Sequence, residues 1–345
     1  MILNYTSFDL LYKHPFGVSS NTRTSTTSVF IKIDFEGRTG YGEACLPAYL
    51  GENVNDTIAF FELAKPLLAK YVKAFSVTEL VIEIDRLTKQ NNAAKAAIDI
   101  ALNDLAGKLY EKPFYDLMKF RKSDPMSTSF TIGIDEENKL ENKIKEASDF
   151  KILKIKAGTK DDKSLINAIR KYTDKPLYVD INQGWKNKEE VLEMIFWLKE
   201  KNVIIVEQPM PVSMIDEMAW VTERSPIITV ADESIKRFND LQVLNGAFSA
   251  VNIKLMKCAG LMEAIKMIEF SKKNNIKILL GCMAESSCAT SAMAQLMKFA
   301  DYIDLDAPNL LKNDPFYGVT YKNGKVFLND LPGIGVEPKT DLFNI

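Results

Sequence analysis

From residue 128 onward the chain alternates short β-rich runs with amphipathic helical segments, and this alternation limits the possible fold more than any other feature. The runs are 128–134, 150–157, 176–182, 204–208, 227–232, 250–256, 277–283 and 302–307. Segments such as 189–201 and 261–274 lie between them with apolar residues at helical spacing. Parallel strands need a crossover between them, and eight successive β/α units predict a closed parallel barrel. The first crossover, 136–148, is highly charged and only weakly signalled as a helix.

The first part of the chain has a different grammar. Runs 2–12 and 25–35 are β-rich, Glu36-Gly37 reads as a turn, and GYGEA at 40–44 makes a further short strand. Segments 57–72, 76–89 and 93–109 carry helical periodicity. Strands followed by helices predict an α+β domain. The expected division is 1–125 for this domain, 126–310 for the barrel, and 311–345 for a Gly- and Pro-punctuated segment that returns to the first domain.

Composition narrows the chemistry. With 46% apolar and 26% charged residues, the 345-residue chain can build a core of normal size. Its net charge of −2 includes no basic run that suggests nucleic acid or an anionic membrane. No apolar stretch reaches membrane-spanning length, no signal peptide is read at the N-terminus, and the four cysteines form no C-x-x-C pair. The expectation is a cytoplasmic protein with reduced thiols. His14 is the only histidine, so a Ser-His-Asp triad or a multi-His zinc site would depend on that one residue.

Polar groups gather at the C-terminal ends of the strand runs, where barrel enzymes carry their chemistry. These are Lys154 and Lys156, Asp180 and Asn182, Glu207, Asp232, Lys254, Glu285 just beyond its run, and Asp304 with Asp306. Lys156, Asp180, Glu207, Asp232 and Lys254 follow one another at intervals of 22–27 residues, one β/α unit each. Three acids on adjacent strands, without His or Cys, suit a hard cation such as Mg²⁺. A lysine on either side could take a proton from a carbon next to a bound carboxylate and return it to the opposite face. Proximity to other cations is expected to lower the pKa of such lysines. Each residue also has a plainer reading: Asp180 could cap the following helix, Glu207 could belong to a turn, and Asp304 and Asp306 could pair with surface lysines.

As an ordered set, GYGEA, KIK, DINQGW, EQP, ADES, NIKLMK and DLDAP resemble the enolase superfamily, in particular the dipeptide epimerases of its muconate-lactonizing subgroup. The resemblance covers nearly the whole chain. It implies an N-terminal α+β capping domain over a modified (β/α)7β TIM-like barrel. Asp180, Glu207 and Asp232 would bind Mg²⁺, and Lys156 and Lys254 would be the two acid/base groups. Lys154 would support the substrate carboxylate and depress the pKa of Lys156, with Asn182 and Glu233 as supporting groups. Asp304 and Asp306 would receive the ammonium of a dipeptide whose C-terminal residue is inverted through a metal-stabilised enediolate. Met283 and Glu285 in GCMAES look substrate-facing, and loop 46–52, with Tyr49 and Leu50, would form one side of the specificity pocket.

Relatives that act on Ala-Glu carry an arginine about five residues after a Pro-Phe pair, and here that position is Asn21, with Arg23 out of step. Asn cannot supply a bidentate charge match, so the expected substrate is Ala-Xaa with a small or hydrophobic Xaa. Ala-Glu epimerisation, o-succinylbenzoate synthesis, muconate cycloisomerisation and non-catalytic acid binding stay open as alternatives. So does a homo-oligomeric state.

Overall fold

The computed structural model describes residues 1–18, 21–133, 137–244 and 246–343. β1 (Ile2–Val18), β2 (Asn21–Phe35) and β3 (Arg38–Cys45) form an antiparallel sheet with β2 in the middle. Burial on both faces of β2 explains its apolar run, with Val29, Phe30, Ile31 and Ile33 fully buried. Glu36 and Gly37 have φ of 48° and 73°, the positive pair that a tight two-residue hairpin requires. β1 and β2 run well past the predicted 2–12 and 25–35, so the segment holding Asn21 and Arg23 is a long hairpin.

Helices α1 (Val54–Ala69), α2 (Val77–Arg86) and α3 (Asn92–Leu109) follow, close to the predicted spans, and then the unpredicted turn α4 (Phe114–Leu117). α3 is buried along most of its length and is rich in alanine, which lets β3 approach its backbone. A Cβ on Gly42 would lie 2.0 Å from the Ala97 carbonyl oxygen, which accounts for glycine in the GYGEA motif.

After β4 (Met126–Ser127) come the barrel strands: β5 (Ser129–Ile132), β6 (Ile152–Lys156), β7 (Leu177–Asp180), β8 (Val203–Glu207), β9 (Ile228–Ala231), β10 (Ala250–Ile253), β11 (Lys277–Gly281) and β12 (Tyr302–Asp304). Among the described residues these eight form one sheet in sequence order, each strand parallel to the next. A parallel bridge between Thr128 and Ile303 joins the two ends. The Leu305 N–H donates to Thr128 Oγ1 across the same seam at 2.8 Å. The crossovers hold α5 (Glu137–Glu146), α6 (Asp162–Arg170), α7 (Lys188–Glu200), α8 (Ile215–Arg224), α9 (Phe238–Val243), α10 (Leu255–Cys258), α11 (Leu261–Lys273) and α12 (Ser287–Ala294). Only the single turn α13 (Ala307–Leu310) follows β12, which is the (β/α)7β pattern.

The weakly signalled first crossover contains the expected helix, α5. One expectation needs correction here. The predicted run 250–256 ends as a strand at Ile253, and its last residues enter α10, whose side chains are buried against the capping domain. An apolar run of that length reads equally well as either element.

The remaining segment carries β13 (Phe316–Tyr317), β14 (Thr320–Lys322), β15 (Lys325–Phe327) and β16 (Glu337–Pro338). It touches the first domain, as the ring of Phe316 lies 5.6 Å from Phe30 and 5.5 Å from Tyr41. Capping domain and barrel are joined by carboxylates at helix N-termini, where free N–H groups need acceptors. Asp99 of α3 accepts from the N–H groups of Leu261 (2.7 Å) and Met262 (3.2 Å) at the start of α11. Glu43 of β3 accepts from Ser286 N–H, Ser286 Oγ and Ala289 N–H at the start of α12. Among the described residues no helix is long and apolar enough to cross a membrane.

Candidate active site

Side chains alternate along a strand, so the barrel interior is built in layers. Tyr178, Ile205, Val230, Ala250 and Leu279 form a buried apolar layer from five adjacent strands. Two residues further along the same strands stand Asp180, Glu207, Asp232, Asn252 and Gly281. Asp180 and Glu207 are register partners, and each is fully buried. Asp232 is 2% exposed. The acids predicted from strand ends are therefore neighbours on three adjacent strands.

Buried carboxylates require compensation, and lysines supply it. Lys156 Nζ lies 2.6 Å from Asp180 Oδ2 and donates to Asn182 Oδ1 at 3.4 Å. Lys154 Nζ sits among Glu207 (2.8 Å), Asp304 (2.8 Å) and Asp180 (3.3 Å), over the ring of Tyr178. On the far side of the acid row, Lys254 Nζ lies 2.8 Å from Asp232 Oδ2 and Lys257 Nζ lies 2.5 Å from Asp232 Oδ1. Burial works against the Asp180 carboxylate, yet the ammonium groups of Lys156 and Lys154 outweigh it and hold its pKa far below the usual range. Asp232 is lowered in the same way: burial opposes, and Lys254 and Lys257 prevail.

The expectation that the two flanking lysines would be pushed towards weaker basicity is corrected for Lys254, and Lys154 behaves like it. Burial does disfavour both ammonium groups, but Asp304 and Glu207 around Lys154, and Asp232 beside Lys254, hold both pKa values well above the ordinary lysine value. Each lysine faces carboxylates at closer range than other cations, and attraction at that distance wins. Burial does lower Lys257, against the pull of Asp232.

Asp180, Glu207 and Asp232 present oxygen donors without His or Cys, the chemistry of a hard divalent cation. Two further acceptors of the site, Glu233 Oε2 and Asn252 Oδ1, are buried without a donor. Donor chemistry and strand placement thus fit Mg²⁺. The expected closing of the three acids on one point is not seen, however: among the described residues no group of three acidic, His or Cys side chains stands ready to hold a metal ion. Instead, Asp180 and Asp232 are turned to lysine ammonium groups, and Glu207 is shared by Lys154, Tyr178 and Asn252.

The remaining predicted residues separate. Asn182 Nδ2 donates to Glu233 Oε1 at 3.2 Å, and burial with the nearby charges of Asp232 and Asp180 pushes Glu233 up to about 7. Asp304 accepts from Ser129 Oγ at 2.6 Å and is paired with Lys154. Asp306 Oδ2 accepts from Thr131 N–H at 2.6 Å, and burial beside Asp304 raises its pKa to about 7. Glu285 is buried, accepts from Met283 N–H at 3.2 Å, and is pushed up to about 8 by burial and by Glu43. The Tyr49 hydroxyl meets Met283 Sδ at 3.5 Å, and Leu50 is half-buried beside it. Arg23 is exposed on β2; the side chain of Asn21 lies outside the described residues.

Sequence reasoning missed Tyr178, Asn252 and Lys257 as parts of this network. Tyr178 Oη donates to Glu207 Oε2 and Asn252 Nδ2 donates to Glu207 Oε1, each at 2.5 Å. For the first two the signal was available: Tyr178 lies two residues from Asp180 on one strand, and Asn252 lies two residues before Lys254, which stands just past the end of β10. Lys257 lies in a helical turn, where strand alternation does not apply.

Comparison with known proteins adds kinship to this geometry. Residues 4–119 match the family model of the mandelate racemase / muconate lactonizing enzyme N-terminal domain, and residues 138–342 match the enolase C-terminal domain-like model. The chain is 46% identical to the L-Ala-D/L-Glu epimerase of Bacteroides thetaiotaomicron, over 97% of this chain and 88% of that one. It is 34% identical to an L-Ala-D/L-amino acid epimerase of Pedosphaera parvula, over 94% and 95% of the two chains. Among solved structures it resembles the dipeptide epimerase of Cytophaga hutchinsonii complexed with Mg and D-Ala-L-Val, with TM-score 0.91, 25% identity, and 99% and 98% of the chains covered.

Proposed function

The chain belongs to the mandelate racemase / muconate lactonizing family of the enolase superfamily, and from that kinship we propose that it is an isomerase that inverts the α-carbon of the C-terminal residue of a dipeptide. The observation that carries this reading is the pair Lys156 and Lys254, one at each end of the acid row, paired with Asp180 and Asp232 respectively. A substrate carboxylate held at that row would have its α-carbon between the two amines. One amine takes the α-proton; the other, carrying its own, delivers it to the opposite face.

Asp180, Glu207 and Asp232 would hold Mg²⁺, whose charge would offset the negative charge that develops on the substrate carboxylate as the proton leaves. The Cytophaga hutchinsonii relative binds Mg, which supports this choice of ion. Lys154 screens Glu207 and Asp304 and keeps the acid layer together. Because Lys154 and Ser129 already engage Asp304, Asp306 is the acid we assign to the dipeptide ammonium.

For the side chain of the inverted residue two readings have support. The 46% identical relative is named for Ala-Glu, which makes L-Ala-L-Glu the first substrate to test. Asn21 at the counted position favours a neutral side chain, and relatives at 28–32% identity are named hydrophobic dipeptide epimerases. Proton NMR in D₂O with Mg²⁺ separates the two: deuterium enters the C-terminal α-position of L-Ala-L-Glu, of L-Ala-L-Leu, or of both. Lys156→Ala and Lys254→Ala each abolish epimerisation. Absence of exchange into a broad dipeptide panel, or either lysine variant equilibrating stereoisomers at near-native rate, removes the two-base reading.

A further inference from the structure

We propose that Glu52 is the positioning residue that holds loop 46–52 over the reaction centre. This rests on the epimerase reading for its kinetic consequence, though not for its structural one. The loop leaves β3 at Cys45, passes a short turn of helix at Ala48–Leu50, and enters α1 at Val54. Near its middle the Tyr49 hydroxyl meets Met283 Sδ, just beyond the end of β11. Tyr49 is 43% exposed, with its hydroxyl end turned in towards Asp232 and Lys254.

The pin lies three residues on. Helix α3 starts without its own cap: Asn91 is left-handed, with φ of 65°, and its side chain makes no capping bond. Glu52 fills that role from a distance of 40 residues in sequence. Its Oε1 accepts from Asn92 N–H at 2.6 Å and its Oε2 from Ala93 N–H at 3.0 Å. A carboxylate with both oxygens on the first N–H groups of a helix gains from the hydrogen bonds and from the helix dipole. Asn53, the next residue, caps α1 by accepting from Asp56 N–H at 3.0 Å. Adjacent residues thus grip the N-termini of two helices. Because α3 is buried along most of its length, the Glu52 anchor is rigid, and the short reach back to Tyr49 carries that rigidity to the mouth of the barrel.

On this account Glu52 acts on substrate retention and leaves proton transfer alone. The test compares Glu52→Ala and Glu52→Gln with the wild type by steady-state kinetics on a dipeptide substrate and by amide hydrogen exchange of the full chain with and without Mg²⁺. For Glu52→Ala we expect KM to rise about tenfold, the scale of one lost cap, with kcat little changed. Amides 46–51 exchange faster, while the interior of α3 keeps its protection. Glu52→Gln, which retains one acceptor, recovers most of the wild-type KM. The proposal is overturned if Glu52→Ala leaves KM or the exchange of 46–51 unchanged. It is equally overturned if protection is lost along all of α3, which would make Glu52 a helix cap and nothing more. Exchange at 46–51 is read without turnover, so a failed epimerase assignment and a failed anchor give different results.

Discussion

Lys154 shows how much of the site one side chain supports. Its ammonium is 2.8 Å from both Glu207 and Asp304 and 3.3 Å from Asp180, and the residue is 3% exposed. Removing one partner of a buried charge cluster leaves the others uncompensated. Lys154→Met is therefore expected to destabilise the protein by about 3–5 kcal/mol, measured by urea denaturation. Asp306 belongs to the same scale. Its pKa of about 7 means that the ionised form, which attracts an ammonium, grows as pH rises through that value. KM for dipeptides should fall between about pH 5.5 and 7.5, and Asp306→Asn should raise KM and flatten that dependence while Mg²⁺ affinity is retained. An unchanged KM in Asp306→Asn would remove the ammonium assignment. The identities of Lys154 and Asp306 were legible from their strand-end positions. That Asp304 pairs with Lys154 while Asp306 accepts from the Thr131 N–H was illegible, because it depends on which side chain an amine two strands away across the closed seam can reach.

At the scale of elements, close approach decides more than propensity. β3 lies against α3 because Gly40 and Gly42 present no side chain to it, and a Cβ at Gly42 would come within 2.0 Å of a backbone oxygen. Gly42→Ala is expected to lower stability by about 1–3 kcal/mol, as overpacking does, with a matching drop in Tm. Asp99 ties α3 to α11 at a different cost. Burial raises its pKa to about 7 against an ordinary 3.8, so the folded state binds its proton more tightly than the unfolded chain does. The stability this contributes is full below pH 3.8 and is lost as pH rises through about 7. The Tm of Asp99→Asn relative to wild type should therefore improve as pH is raised from about 5 to 8. A constant difference in Tm would mean that Asp99 titrates alike in both states.

At the scale of the whole molecule, the barrel brings acids from three strands into one buried layer and the capping domain closes over it. That layer holds more negative charge than a protein interior tolerates without cations, and the lysines meet part of the need. Exhaustive chelation should abolish α-proton exchange, and Mg²⁺ should restore it. If exchange persists after chelation, the lysines alone carry the reaction and the metal assignment falls.

The order of strands and helices was readable in the chain because hydrophobic periodicity is a local property, and the positions of Lys156, Asp180, Glu207, Asp232 and Lys254 followed from one β/α unit repeating. Local periodicity failed at 250–256, where an apolar run suits both elements and packing against the capping domain chose the helix. Tertiary structure alone decided the pairings: Asp99 with Leu261 across 162 residues, Glu43 with Ser286 across 243, and Lys154 with Asp304 across 150. Charge interactions and hydrogen bonds depend on separations of a few ångströms in a low-dielectric interior, and those distances exist only after the chain has closed its barrel.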